Sequence, residues 1–296
     1  MFVSDIDKGA CTWLEANVTA PNLGDFTALD ELPPVDILTA GFPCQPLSTA
    51  GLRKGVNDER WLFDDICRLV GRMGTRPILS LENVPGLLTA NDRDAMARVV
   101  HSLAAIGYSI TWGTMAAAEV GAPHRRLRFW GLAYPADTDS RRSWQRRTKP
   151  SRVTVAQHAA DTAADADGLR SQGFGRLNIV ERDADGCDDK GTRLRAAVFG
   201  GYWPAIARWE RIIGRLAPAP TVDGRLSPHL VEWMMGYPEG WVTDTLTNRR
   251  QALHALGNAV VPQCAAAAFT ALAARIDDQA ADGRSQTPAA RSLTRW

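Results

Sequence analysis

Hydrophobic and polar positions along the first third of the chain switch between two periods. Short apolar runs at residues 35–40 and 78–81 have the length and content of buried strands. Before, between and after them the apolar positions recur every three to four residues, at 8–15, 61–73 and 95–106. In the second of these, Leu62, Ile66, Leu69 and Val70 fall on one stripe, and the third stops at Gly107. Residues 2–4 read as the end of a strand, and 108–115 and 127–133 read as extended. Strands alternating with helices predict an α/β fold, a parallel sheet wrapped by helices.

After Pro135 the pattern dissolves. Residues 136–197 are rich in Asp, Arg, Gly, Ser and Thr, repeat short Asp-Ala-Asp-Gly-like tracts, and carry too few large apolar residues to supply a core. They read as a disordered insertion or a loop-rich lobe. Helical periodicity returns at Pro204, a residue suited to a first turn, with Ile206, Trp209, Ile212 and Ile213 on one face. Ser227-Pro228 is an N-cap followed by proline and opens a helix ending at Gly236. A final helix runs from 262 to about 276, and the polar tail after it is expected to be mobile. The predicted division is 1–135, an insertion and lobe at 136–224, a return to the first domain at 225–278, and a tail at 279–296.

Composition narrows the class without naming it. A chain of 296 residues, 45% hydrophobic and 23% charged, buries a full core as one large domain or one plus a smaller lobe. No apolar run approaches the roughly 20 residues that span a bilayer, and no basic segment precedes an apolar one at the start. The expectation is a soluble cytoplasmic protein with no membrane partner. Five cysteines, an odd number without a Cys-x-x-Cys pair, argue against a disulfide framework and a zinc site, so no metal is expected. A net charge of +1 leaves a nucleic-acid partner open, because one face can be basic and another acidic.

Candidate chemistry begins where the run 35–40 enters Gly41-Phe42-Pro43-Cys44-Gln45-Pro46-Leu47-Ser48. A thiol between prolines at the mouth of a strand reads as a nucleophile. Glu82-Asn83-Val84 follows the run 78–81 and puts a carboxylate at a strand's carboxyl end, where α/β sheets hold ligands. In Pro123-His124-Arg125-Arg126-Leu127-Arg128, alternation along a strand would point Arg126 and Arg128 to the same side. Further on stand Arg225-Leu226-Ser227-Pro228, Met235-Gly236-Tyr237-Pro238 and Gly257-Asn258-Ala259-Val260-Val261-Pro262.

In this order the segments resemble the motifs of the cytosine-C5 DNA methyltransferases, over about residues 1–275 with the polar insertion unmatched. His124 stands where that family usually has Gln, and Ala259 where it often has Ser. The resemblance implies a Rossmann-like domain dependent on S-adenosyl-L-methionine, interrupted by a small target-recognition lobe. It implies that Cys44 adds to C6 of a flipped-out cytosine and that Glu82 holds N3 through a proton. Arg126 and Arg128 would bind O2, the substrate phosphate and the catalytic carboxylate. Gln45 and Ser48 would face the gap left by the base or its phosphates. For the cofactor, Asp5 would bind the ribose hydroxyls, Ile6 would pack on the adenine, and Asp25 with Phe26 would read the adenine amino group. Pro43, Leu62 and Asn258 would complete that site. The implied partner is double-stranded DNA, met by a monomer of the restriction-modification kind.

A tRNA cytosine-5 methyltransferase shares the same chemistry, and an inactive DNA-binding fragment is a third reading. The third draws on a departure: the family's Phe-x-Gly-x-Gly-Gly turn should precede Asp5 by a strand and a helix, and Met1 lies too close to leave room for it. The expectation is an N-terminally incomplete chain whose sheet lacks its first strand. The run 141–149, four arginines and a lysine around Trp144, reads equally as a DNA-facing loop or a solvated one.

Overall fold

The computed structural model describes residues 1–42, 61–137 and 189–281. They form two compact units whose segments interleave along the chain. One takes 27–42, 61–114, 128–137 and 268–281, and the other Met1–Phe26, Met115–Leu127 and 189–267. Most of Cys44's loop and most of the polar insertion lie outside the described residues.

The first unit is built on a four-stranded sheet. Its strands are β1 (Ile37–Gly41), β2 (Ile78–Asn83), β3 (Tyr108–Ala116) and β4 (Leu127–Pro135), in the spatial order β1-β2-β4-β3. β1 and β2 run parallel, from Ile37↔Ile78 to Gly41↔Glu82. β2 and β4 run antiparallel, from Leu79↔Ala133 to Asn83↔Phe129. The sheet is therefore mixed, where the alternation of elements predicts a parallel one. Residues 117–126 between β3 and β4 are too few for the crossover of about a dozen residues that parallel neighbours need, so β4 turns back.

Both faces of β2 are buried, as its unbroken apolar run requires, with Leu79 and Leu81 fully enclosed. Helix α2 (Phe63–Arg72) buries Phe63, Ile66, Leu69 and Val70, while Leu62 of the expected stripe sits half-buried just before it. Asp64 and Asp65 in its first turn and Arg72 in its last suit the helix dipole. Arg68 on the same helix donates to the Thr27 and Leu29 carbonyls and so ties down the segment before β1. Helix α3 (Asp94–Ala105) buries Ala95, Met96, Val99 and Leu103 and ends at Gly107, whose φ of 75° reverses the chain into β3.

In the second unit residues 2–4 join no sheet; Val3 makes an isolated parallel bridge to Asn22. Asp7 caps helix α1 (Lys8–Asn17) through the Ala10 amide. Two further helices, α4 (Asp189–Phe199) and α5 (Trp203–Ile213), precede a short hairpin of β5 (Thr221–Val222) and β6 (Arg225–Leu226). Helix α6 (Pro228–Met234) follows, capped by Ser227 as the sequence predicts. Helix α7 (Arg249–Asn258) starts at the Asn248 cap and was not legible from periodicity. Val242, Leu246, Ala252 and Leu256 form this unit's local core, with Trp13, Val231 and Tyr237 against it.

The last helix, α8 (Pro262–Ala281), runs beyond the expected end near 276. Residues 249–277 together have the length and apolarity to cross a bilayer, contrary to the sequence expectation. That stretch is two helices, and Leu256, Cys264, Ala268, Leu272 and Ile276 within it are buried in the protein.

Candidate active site

Parallel pairing sets the first half of the site. Because Gly41 stands opposite Glu82, the chain leaves β1 beside the carboxyl end of β2, and Cys44 follows three residues after Gly41. The Gly41 position is close enough to the carboxylate that a Cβ there would sit 3.4 Å from Glu82 Oε2, in ordinary contact. Asn83 Nδ2 donates to the Phe42 carbonyl at 3.2 Å, and its Oδ1 accepts from the Val84 amide at 2.8 Å. The Phe42 ring packs against Phe63 and Trp61, centroids 5.0 and 6.1 Å away. The exit from β1 is thus fixed by a hydrogen bond on one side and an aromatic cluster on the other. Pro43, Cys44, Gln45 and Ser48 lie outside the described residues.

Glu82 pairs with Arg128 of β4, Arg128 Nε to Glu82 Oε1 at 3.1 Å, with each side chain about 20% exposed. A guanidinium in a partly dry setting orients the carboxylate and compensates its charge. Arg126 behaves differently from the expectation that it shares a strand face with Arg128. Its φ of 34° lies outside strand geometry, and β4 begins only at Leu127, so period-two alternation does not reach it. Its guanidinium instead donates to the Gly257 carbonyl at 2.8 Å and to that of Ala259. Nearby in sequence, the His124 ring nitrogen lies 3.1 Å from the Met234 carbonyl.

The second unit gathers most of the expected cofactor residues. Asp5 is exposed; its Oδ1 accepts from the Asp7 amide at 2.8 Å, and its own amide donates to Asn22 Oδ1 at 3.1 Å. Ile6 stands 71% exposed, an apolar face without cover. On α7, His254 Nε2 lies 3.2 Å from Asn258 Nδ2 and 3.8 Å from Asp7 Oδ2, so the turn 5–7 and Asn258 meet through this histidine. The sequence signal for His254 is its place one helical turn before Asn258 on the same face. Asp25 is exposed and Phe26, half-buried, opens the turn Phe26–Ala28. Leu62 belongs to the other unit. Tyr237 donates to the Val260 carbonyl at 2.7 Å. Burial raises its phenol above the ordinary value against the lowering effect of Arg126, which keeps the donor protonated.

The same architecture recurs in solved methyltransferases. Entamoeba histolytica methyltransferase EhMeth superposes with a TM-score of 0.52 at 13% identity, covering 94% of this chain and 89% of that one. A putative DNA modification methyltransferase encoded within an E. coli prophage gives 0.51 at 17%, covering 93% and 92%. The fold is the Rossmann-like methyltransferase fold. Residues 1–173 match the family of C-5 cytosine-specific DNA methylases, and the chain belongs to that family. It is 37% identical over 140 residues to the Type II methyltransferase M.BsuFI of Bacillus subtilis, across 46% of this chain and 34% of that protein. It is 35% identical over 138 residues to M.MspI of Moraxella sp, across 45% and 33%. The chain spans about a third of the length of these curated relatives.

Proposed function

We propose that the protein is a DNA (cytosine-5-)-methyltransferase that moves a methyl group from S-adenosyl-L-methionine to C5 of a cytosine flipped out of duplex DNA. The observation that carries this reading is the Glu82–Arg128 pair at the end of β2, in register with the strand that delivers Cys44. Cytosine C5 is a poor nucleophile until sulfur adds to C6. The Cys44 thiolate forms the S–C6 bond, and Glu82 delivers its proton to N3 as electrons move into the ring. Arg128 holds Glu82 in place for that transfer and balances the charge that develops. After methylation a base removes the C5 proton, the S–C6 bond breaks and the thiolate leaves, and the N3 proton returns to Glu82. Gln45 and Ser48 are assigned to the space vacated by the base and to its phosphates.

The described residues fit the cofactor's nucleoside half. Asp5 offers a carboxylate to a diol, uncovered Ile6 an apolar face to a flat ring, and Asn258 an amide joined to the same turn through His254. Asp25, Phe26, Pro43 and Leu62 are the further residues assigned to it. S-adenosyl-L-methionine, when bound, supplies an electrophilic methyl group. The family match favours DNA over tRNA as substrate. We place the working form as a cytoplasmic monomer of a restriction-modification system, with 136–224 as the lobe that selects the target.

Duplex DNA carrying 5-fluorocytosine tests this reading, because fluorine at C5 blocks release of the thiolate. The expected result is a covalent protein–DNA complex formed with S-adenosyl-L-methionine by the parent chain and absent in Cys44→Ala. A complex of equal yield in Cys44→Ala, or none in a parent that methylates tRNA, would overturn it.

A further inference from the structure

A cleft of about 520 Å³ opens in the second unit between the β5–β6 hairpin and the starts of α6 and α7. Three cationic or ionisable side chains reach it from three elements: Arg225 from β6, His229 from the first turn of α6 and Arg249 from the start of α7. All three are exposed. Arg249 Nε donates to the Leu226 carbonyl at 3.1 Å, which fixes the guanidinium plane and leaves both Nη groups available. Among the described residues the side chains of Arg225 and His229 make no hydrogen bond or ion pair. Asp223 is the carboxylate lining the cleft; it pairs with neither arginine, and the two arginines outweigh it.

Stray surface arginines usually find carboxylates or spread apart. Here two converge on a concave site, Arg249 with both Nη groups still available. The Thr247 hydroxyl adds a donor, and exposed Val222 and Leu226 add an apolar rim. A planar guanidinium fork matches the oxygens of a phosphodiester, and an apolar rim suits the sugar beside it. A small anion would use the fork and ignore the rim.

We propose that this cleft holds the phosphate backbone of duplex DNA, a contact that fixes the protein's position on the duplex without reading its sequence. The choice of DNA as the polyanion rests on the methyltransferase reading above.

Binding of a short fluorescent duplex by the full chain, measured across a salt series, tests the proposal. Arg225→Gln removes no bond of the fold. It should lower the slope of log affinity against log salt by about 0.9 and the affinity by roughly tenfold near ~0.1 M salt, with Arg225/Arg249→Gln doubling the change in slope. Arg72→Gln, an exposed arginine of the other unit, should keep the parent's slope. An Arg225→Gln slope equal to the parent's, or an equal loss in Arg72→Gln, would overturn the cleft while leaving the methyltransferase reading intact. The predicted loss of slope in a parent that binds DNA but forms no adduct through Cys44 would support the cleft and count against the reaction.

Discussion

Glu82 and Arg128 work as a pair, and their separate replacements should be read together. In the proposed reaction both would act on charge that develops only as sulfur adds to C6, so their loss should fall on turnover rather than on DNA binding. Glu82→Gln and Arg128→Ala are each expected to lower methyl transfer on the order of 100-fold or more, with DNA affinity nearly unchanged. Equal losses in both measurements would remove the assignment. The position of Glu82 was legible in the sequence because its motif follows an apolar strand run, whereas Asn258 was picked out by its motif without the helix that ends on it. The partners of Arg126 were not, because its positive φ depends on a turn that no local pattern announces. A second residue-level consequence concerns alkaline pH. Burial, with the Asp64 charge adding to it, pushes the Cys67 thiol from 9.0 up to about 12. Burial does the same for the Tyr108 phenol, from 10.0 to about 12, while its hydroxyl donates to the Pro77 carbonyl. Folding therefore favours the protonated forms, and their contribution is complete below the ordinary values and lost as pH rises toward the folded ones. The urea midpoint should fall between about pH 9 and about pH 12, and Tyr108→Phe should flatten that fall above about pH 10.

At the scale of elements, α6 shows how a loop can be organised by one buried carboxylate. Glu232, 2% exposed, accepts from the Gly240, Val242 and Thr243 amides and from the Thr243 hydroxyl. That set of bonds shapes the turns leading to Trp241, whose carbonyl accepts from Trp13 of α1 at 2.5 Å. Glu232→Ala leaves those amides buried without a partner and should cost about 3 kcal/mol of stability, seen as a lower urea midpoint. Glu232→Gln retains one acceptor and should cost less. A change within about 0.5 kcal/mol for the alanine variant would mean that water replaces the carboxylate. Periodicity announced α2, α3, α5 and α8 because each buries one apolar stripe. It missed α7, whose first turn, Arg249-Arg250-Gln251, is polar and exposed and whose start is set by the Asn248 cap. It also missed the hairpin 221–226, two residues per strand, which is too short to show alternation. The antiparallel course of β4 follows from a connection length rather than from any residue in the strand.

For the molecule as a whole, the sheet edge at β1, unpaired among the described residues, matters most. Among the described residues β1 has one strand partner, β2, and Ile37 on it is 59% exposed. An uncovered edge with an apolar residue is a template for pairing with another chain, and a net charge of +1 supplies little repulsion against it. The protein should therefore self-associate at concentrations above those at which the proposed monomer works, through the β1 edge. Ile37 lies at the opposite end of the β1–β2 pairing from Gly41 and Glu82, about 13 Å along the strand, so a charge placed there leaves the chemistry alone. Ile37→Lys is expected to shift light-scattering mass toward the monomer at concentrations where the parent forms larger species, with methyl transfer per chain unchanged. A parent that stays monomeric at the same concentrations, or an Ile37→Lys variant that associates as strongly, would mean that the β1 edge is not where chains meet.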